Sequence, residues 1–336
     1  MINFRYHVVS LTAVFLALAV GLVLGSTVLN GPMLDALNNQ VNTLGRDNSQ
    51  LREQVSFLEE EASREETFAA EAAPMLLSDT LTGRRVALVV LPGAEDYGEG
   101  VAEMLRLAGA SITATLQVTD KFTHPAHRLD ELLDLAHRVV PPSVDAERLP
   151  AFDGVEASAA LWAAVLLDGA PVPAPADDEQ EQVAEEEAAE PEGPVVKTVP
   201  DQERREVLSS YVATEFLTMP DGPSGPAEIL VVVTGLPVTD ADADERNQAM
   251  LTVVEQLHLA GPLVVAAAGP SGSGNLVVEI RRDPALSASI STVDNAATPQ
   301  GQVAAALAVA RHLAAGPGHY GTGSGAERLL PVKSTE

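Results

Sequence analysis

The chain has 336 residues, and its 20 basic and 48 acidic side chains leave a formal net charge of −28. That balance offers no basic face for nucleic acid or for anionic lipid headgroups. The lack of cysteine removes disulfides, thiolate metal sites and cysteine nucleophiles, and an aromatic content of 4% is too low for base-stacking platforms.

Val8 to Leu29 carries no charge over 22 residues, VVSLTAVFLALAVGLVLGSTVL. A helix of about 20 apolar residues spans the roughly 30 Å hydrocarbon core of a bilayer. The competing reading is a cleaved signal peptide, but the run exceeds the usual h-region and no small-x-small cleavage site follows it. Residues 1–30 therefore read as a transmembrane anchor. Arg5 precedes the span and the first basic residue after it is Arg46, so the positive-inside rule puts the N-terminus in the cytoplasm and the rest outside. Ala13, Ala17, Gly21 and Gly25 recur every fourth residue, a small-residue stripe on which two helices could approach closely; accidental spacing in an Ala-rich span gives the same pattern.

Residues 31–73 read as a stalk, about 65 Å long as one helix. Leu37, Val41, Leu44, Asn48, Leu51, Val55, Leu58 and Ala62 step by four and three alternately, which makes a heptad seam. Val and Asn at a with Leu at d favour two parallel strands, and Asn48 finds its best partner in the same amide of an in-register copy. Asp47 at g would face Arg52 at e of that copy, whereas Glu61 and Glu66 repel and loosen the coil near residue 60. The alternative is an amphipathic helix lying on its own domain. Pro74 should end the helix at Ala73. Continued upstream, the heptad phase puts Gly21 and Gly25 off the seam, unless Gly31-Pro32 breaks the phase.

From residue 80 the pattern becomes α/β, and 80–170 and 201–316 read as two halves of one Rossmann-like head with a mainly parallel sheet and two βαβ units. In the first half, Arg85 to Leu91 and Ser111 to Thr119 are strands, and Gly98 to Ala108 and Leu129 to Val139 are helices. Leu161 to Leu167, around the sole Trp162, fits helix or strand. In the second half, Glu228 to Thr234 is a strand, Ala243 to Leu259 a helix, Leu263 opens a strand, Ala288 to Val293 is a short strand, and Thr298-Pro299 caps a helix to Ala314. Between the halves, 171–200 holds nine acidic residues, one lysine and six prolines, and reads as a disordered linker. The Gly-rich tail, 317–336, is expected to be mobile.

Chemistry-bearing motifs are sparse. Gly93 to Gly100 is not a dinucleotide fingerprint, and no P-loop or nucleophile elbow occurs. Gly269 to Gly274 follows a strand and could cradle an anion, but without Lys or Arg inside the loop it reads as a flexible turn. Among the histidines, His124 and His127 form the closest pair and His312 and His319 flank a turn; these four are the candidate metal ligands. Soft copper(I) would prefer thiolate or thioether donors, and the six methionines form no cluster.

The segments MINFRYHVVSLTAVFLALAVGLVLGSTVL, VALVVLPGA, STVDNAATPQGQ and GHYGTGSGAERLLP resemble the actinobacterial MctB family, described as copper transport outer membrane proteins and similar to the cell-separation protein SteB. The resemblance spans the chain except the 171–200 insertion. It implies a non-enzymatic role in copper homeostasis at the envelope, with copper ion as the implied metal. For SteB-like members it implies the alternative of a scaffold that works with a membrane partner, SteA, on peptidoglycan hydrolysis. The residues add that one transmembrane helix encloses no pore and that solid apolar strands joined by helices do not read as an outer-membrane barrel. The expected object is a parallel homodimer, anchored once in the membrane, with a second envelope protein as partner.

Overall fold

The computed structural model describes residues 4–127, 130–169 and 198–331, with side chains described except at 26–36 and 38. The chain divides into two compact units, Met1–Glu65 and Glu66–Glu336.

One helix, α1, runs Phe4–Leu77. Its Phe4–Gly25 stretch is long and apolar enough to cross a membrane and has no buried residue; it overlaps the expected Val8–Leu29. The backbone stays helical through Gly31-Pro32, so no break there resets the heptad phase. The expected stop at Pro74 is also corrected. Proline loses one helical hydrogen bond, but Pro74 lies in the last turn, and its carbonyl still accepts from the Ser78 N–H at 3.1 Å. Ala73 and Leu77, buried in the second unit, secure that turn, and Asp79 then leaves the helix at φ 60°.

The second unit continues with β1 (Arg85–Val90), α2 (Glu95–Leu107), β2 (Ser111–Val118), the single turn α3 (Asp120–Thr123), α4 (Glu131–Arg138) and α5 (Gly154–Leu166). Beyond the undescribed 170–197 follow α6 (Asp201–Ala213), β3 (Leu217–Thr218), β4 (Ile229–Thr234), α7 (Ala243–Ala260), β5 (Leu263–Ala267), α8 (Leu276–Arg282), α9 (Pro284–Ser287), β6 (Ser291–Val293), α10 (Pro299–Ala315) and β7 (His319–Tyr320). The strands form one open sheet in the order β3-β2-β1-β4-β5-β6-β7, parallel throughout except for the β2–β3 pair.

Both faces of the sheet are covered, which is why β1, β4 and β5 are continuous apolar runs. Ala87, Val89, Leu230, Val232 and Val265 face a core shared with α4, α5, α6, α7 and α8. Val86, Leu88, Val90, Val231 and Val264 face a second core shared with α2, α10 and the end of α1. A bulge places Thr113 as an extra residue on β2, so that Ile112 pairs with Val86 and Ala114 with Ala87.

Several boundaries differ from the sequence reading for local reasons. The helix expected from Gly98 starts at Glu95; Gly98 lies inside it and packs on β1 so closely that a Cβ would come within 2.7 Å of Val90. The undecided segment around Trp162 is helix α5, capped by Asp153 and buried on every side, so it carries no amphipathic period. Trp162 packs on Phe122 and Tyr211 at ring-centroid distances of 4.6 and 5.3 Å. Leu129, the expected start of α4, lies outside the described residues, as does most of the 171–200 linker. On the two sides of that stretch, buried Arg204 of α6 donates to the carbonyls of Val165, at 2.5 Å, and Val199, at 3.0 Å.

The described part of the tail holds a short strand and a backbone hydrogen bond. His319–Tyr320 adds a strand beside β6, Tyr320 is buried, and the Gly321 N–H donates to the Arg328 carbonyl at 2.9 Å.

Candidate functional site

The carboxyl ends of β5, β6 and β7 lie at one edge of the sheet, the edge where open parallel sheets bind ligands. Further along that edge, between β1 and β4, the following loops approach closely: a Cβ on Gly235 would come within 2.3 Å of the Gly93 carbonyl oxygen.

Beside β6, chain segments far apart in sequence meet around one buried ion pair. Asp294 follows β6 and has no exposed surface; Arg281 of α8, also buried, donates to it at 2.8 Å. The same guanidinium donates to Thr292 Oγ1 at 2.8 Å, the Tyr320 carbonyl at 2.8 Å and the Ser324 carbonyl at 3.3 Å. Asp294 in turn accepts the N–H groups of Thr322, at 2.7 Å, and Gly323, at 3.0 Å. Gly321 has φ +126°, and a Cβ there would lie 2.1 Å from Asp294, so only glycine fits. The STVDNAATPQGQ and GHYGTGSGAERLLP segments are thus two halves of one buried polar network.

The loops fixed by this network wall an open cavity of about 630 Å³. Its lining comes from Pro270, Ser271, Gly272 and Ser273 after β5, Val278 and Arg282 of α8, and Thr322, Gly323 and Ser324 after β7. Sequence reasoning singled out the first loop but found neither its partner loop nor Arg281 and Arg282. The Arg281–Ser324 bond alone spans 43 residues, and no local spacing links the two loops or the two arginines.

The candidate metal ligands do not converge. His312 Nδ1 bonds Ser291 Oγ at 2.8 Å, and His319 Nδ1 bonds Thr292 Oγ1 at 2.8 Å. Ser291 and Thr292 are consecutive in a strand and point to opposite faces, so β6 separates the two imidazoles. His319 Nε2 is engaged by the Ser287 carbonyl at 3.1 Å, and His258 Nε2 by Ser289 Oγ at 3.0 Å. Burial holds all three imidazoles below their usual 6.5, and for His312 the nearby His258 adds to the effect. His124 and His127 do come together, with ring centroids 5.8 Å apart. Their Nδ1 atoms are taken, however, by the Ala126 N–H at 3.2 Å and by Glu131 at 2.9 Å. Lys121, bonded to Glu131 at 2.7 Å, holds that carboxyl below its usual range. Among the described residues, no group of three or more His, Asp or Glu is arranged to hold a metal ion.

The residues expected to mediate self-association are bare in the single chain. Leu37, Val41, Leu44, Leu51, Val55 and Leu58 are between 50% and 65% exposed, and Asn48 is exposed with them. In the apolar span, Ala13 and Ala17 are exposed, and a Cβ on Gly21 or Gly25 would meet nothing within 4 Å.

The described residues thus combine one N-terminal helix long and apolar enough to cross a membrane with a mixed α/β unit whose seven-stranded, mostly parallel sheet is covered on both faces. Residues 1–331 match the family described as "Copper transport outer membrane protein, MctB", and the chain belongs to that family. It is 29% identical over 330 residues to the copper transporter MctB of Mycobacterium tuberculosis (strain ATCC 25618 / H37Rv), covering 97% of this chain and 98% of the relative. The copper transporter MctB of Mycobacterium leprae (strain TN) is 28% identical over 337 residues, covering 98% and 99%. The family is one of transport proteins, not of enzymes. These relatives give no support to the cell-separation alternative.

Proposed function

We propose that this chain serves copper transport at the cell envelope as a single-span subunit of an assembly, with copper as cargo and no catalysis of its own. The observation that carries this reading is the family match along residues 1–331. The structure supports the subunit part. There is one candidate span among the described residues, and one helix encloses no path for an ion. The sheet is open and covered on both faces, so it is not a lipid-facing cylinder. On this reading the Rossmann-like head stands outside the cytoplasmic membrane, with the N-terminus inside as Arg5 favours, rather than forming a pore in the outer membrane.

On this reading the heptad seam from Leu37 to Leu58 pairs two copies in parallel as a coiled coil, with Asn48 facing Asn48 and Asp47 facing Arg52. The small residues Ala13, Ala17, Gly21 and Gly25 drift off that seam along the uninterrupted α1, so they are free to face another membrane helix. A second envelope or membrane protein supplies the rest of the route.

The test is copper content in cells lacking the gene, complemented with the wild-type chain or with Leu44→Glu/Leu51→Glu. Wild type should restore normal copper, and the double variant should reach the membrane yet fail. Restoration by the variant removes the dimer, and unchanged copper in the deletion strain removes the transport reading.

A further inference from the structure

We propose that the cavity between the Pro270–Ser273 and Thr322–Ser324 loops binds a small oxyanion, a phosphate or carboxylate group carried by a soluble molecule.

The cavity lies at the carboxyl ends of β5 and β7, on the ligand-binding edge of a parallel sheet. Its volume of about 630 Å³ is that of a small-molecule site. Its walls are fixed before any ligand arrives. Asp294 holds the Thr322 and Gly323 N–H groups, and Arg281 holds the Ser324 carbonyl. The two loops approach so closely that a Cβ on Gly323 would lie 2.5 Å from the Pro270 carbonyl oxygen. On the other side, Asn275 Nδ2 donates to the Gly269 and Ser271 carbonyls at 2.9 and 3.4 Å.

The chemistry of the lining selects the ligand. In a chain of net charge −28 the lining contains no carboxylate, and its one ionisable side chain is Arg282. Among the described residues, the hydroxyls of Ser271, Ser273 and Ser324 and the N–H groups of Ser271, Gly272 and Ser273 make no hydrogen bond within the protein. Hydroxyl and amide donors with one guanidinium match acceptor-only oxygens. Arg282 pairs with Glu279 at 3.2 Å, but both side chains are exposed, and such a pair yields readily to a better-placed anion. The neutral-turn reading of Gly269 to Gly274 lacked a cation within the loop; α8 brings one from eight residues beyond its end.

Full-length protein in detergent should be titrated by calorimetry with inorganic phosphate, with citrate, and with glucose as a neutral polyol. The expected result is saturable binding of phosphate or citrate, the stronger of the two naming the group, with no glucose binding. Arg282→Gln should weaken it about tenfold or more, as loss of a charge-assisted bond does, and Ser273→Asp should abolish it. Both residues lie on the surface, so the unliganded melting temperature should hold in each variant. No saturable heat from either anion, glucose binding as strong as theirs, or undiminished affinity in both variants overturns the proposal. None of these outcomes bears on copper content in cells.

Discussion

Leu51 in α1 is 59% exposed, whereas Leu88 in β1 has no exposed surface. The same residue type serves two different problems. In the second unit, leucine is removed from water by the chain itself, on a sheet covered by helices on both faces. In the first unit the described apolar side chains of α1 stay exposed, and on the proposed reading a second copy covers the leucines and lipid covers the 22-residue apolar stretch. The second unit buries its own apolar residues, and the first leaves its apolar residues exposed.

The largest effect should come from the buried charge pair of the head. Asp294→Ala leaves Arg281 buried without its partner and two loop N–H groups without an acceptor, a loss of about 3–5 kcal/mol. Urea unfolding of the full chain should register it, and a loss under about 1 kcal/mol would mean the network is incidental. A matched pair of truncations comes next. Leu88→Ala should cost about 2–5 kcal/mol of head stability. Leu51→Ala should leave the head transition in place and instead weaken self-association in sedimentation. Equal loss from both would merge the two regions into one cooperative block. Smaller again is Asn48→Val. It should tighten the association of α1 and relax its preference for two strands, by removing a buried amide that specifies number at a cost in stability; an unchanged dimer that melts earlier would contradict the seam.

The smallest effect is a pH slope. His258, His312 and His319 are held below the usual 6.5 by burial. Below that value the unfolded chain binds protons that the folded head resists, so their contribution to stability is complete above pH 6.5 and is lost as pH falls through their lowered values. Glu156 and Glu255, raised by burial, act in the opposite sense above their usual 4.5. The histidine part is isolated by His312→Gln, which should flatten the acid side of the melting-temperature profile. An identical profile in the variant would assign the slope elsewhere.

The strands β1, β2, β4 and β5, the long helix α7 and the Thr298-Pro299 start of α10 were legible because each carries a local signal: an unbroken apolar run in β1, β4 and β5, apolar–polar alternation in β2, spaced apolar residues in α7 and a capping residue at α10. Helix α5 was not, because burial on all sides erases the period. Helix α6 was not recognised either, since its one deeply buried charged residue, Arg204, reads as a surface cation until the carbonyls of Val165 and Val199 are seen around it. The histidines illustrate the same limit. Spacing offered His312 and His319 as neighbours, and one strand between them assigns each to a different hydroxyl. Family membership, by contrast, was readable along the chain outside the 171–200 insertion.

The sequence by itself determined the local quantities: where the chain is apolar enough for a bilayer, where leucine recurs every half-heptad, where strands alternate with helices, and which family the chain joins. These depend on residues within one or two turns of each other. Only the tertiary structure decided that His319 and Tyr320 of the glycine-rich tail add a strand beside β6, that Arg281 and Asp294 share a buried bond, and that two distant loops and Arg282 line one cavity. Such contacts depend on sheet order and on which face each side chain takes, and no window along the chain contains both partners.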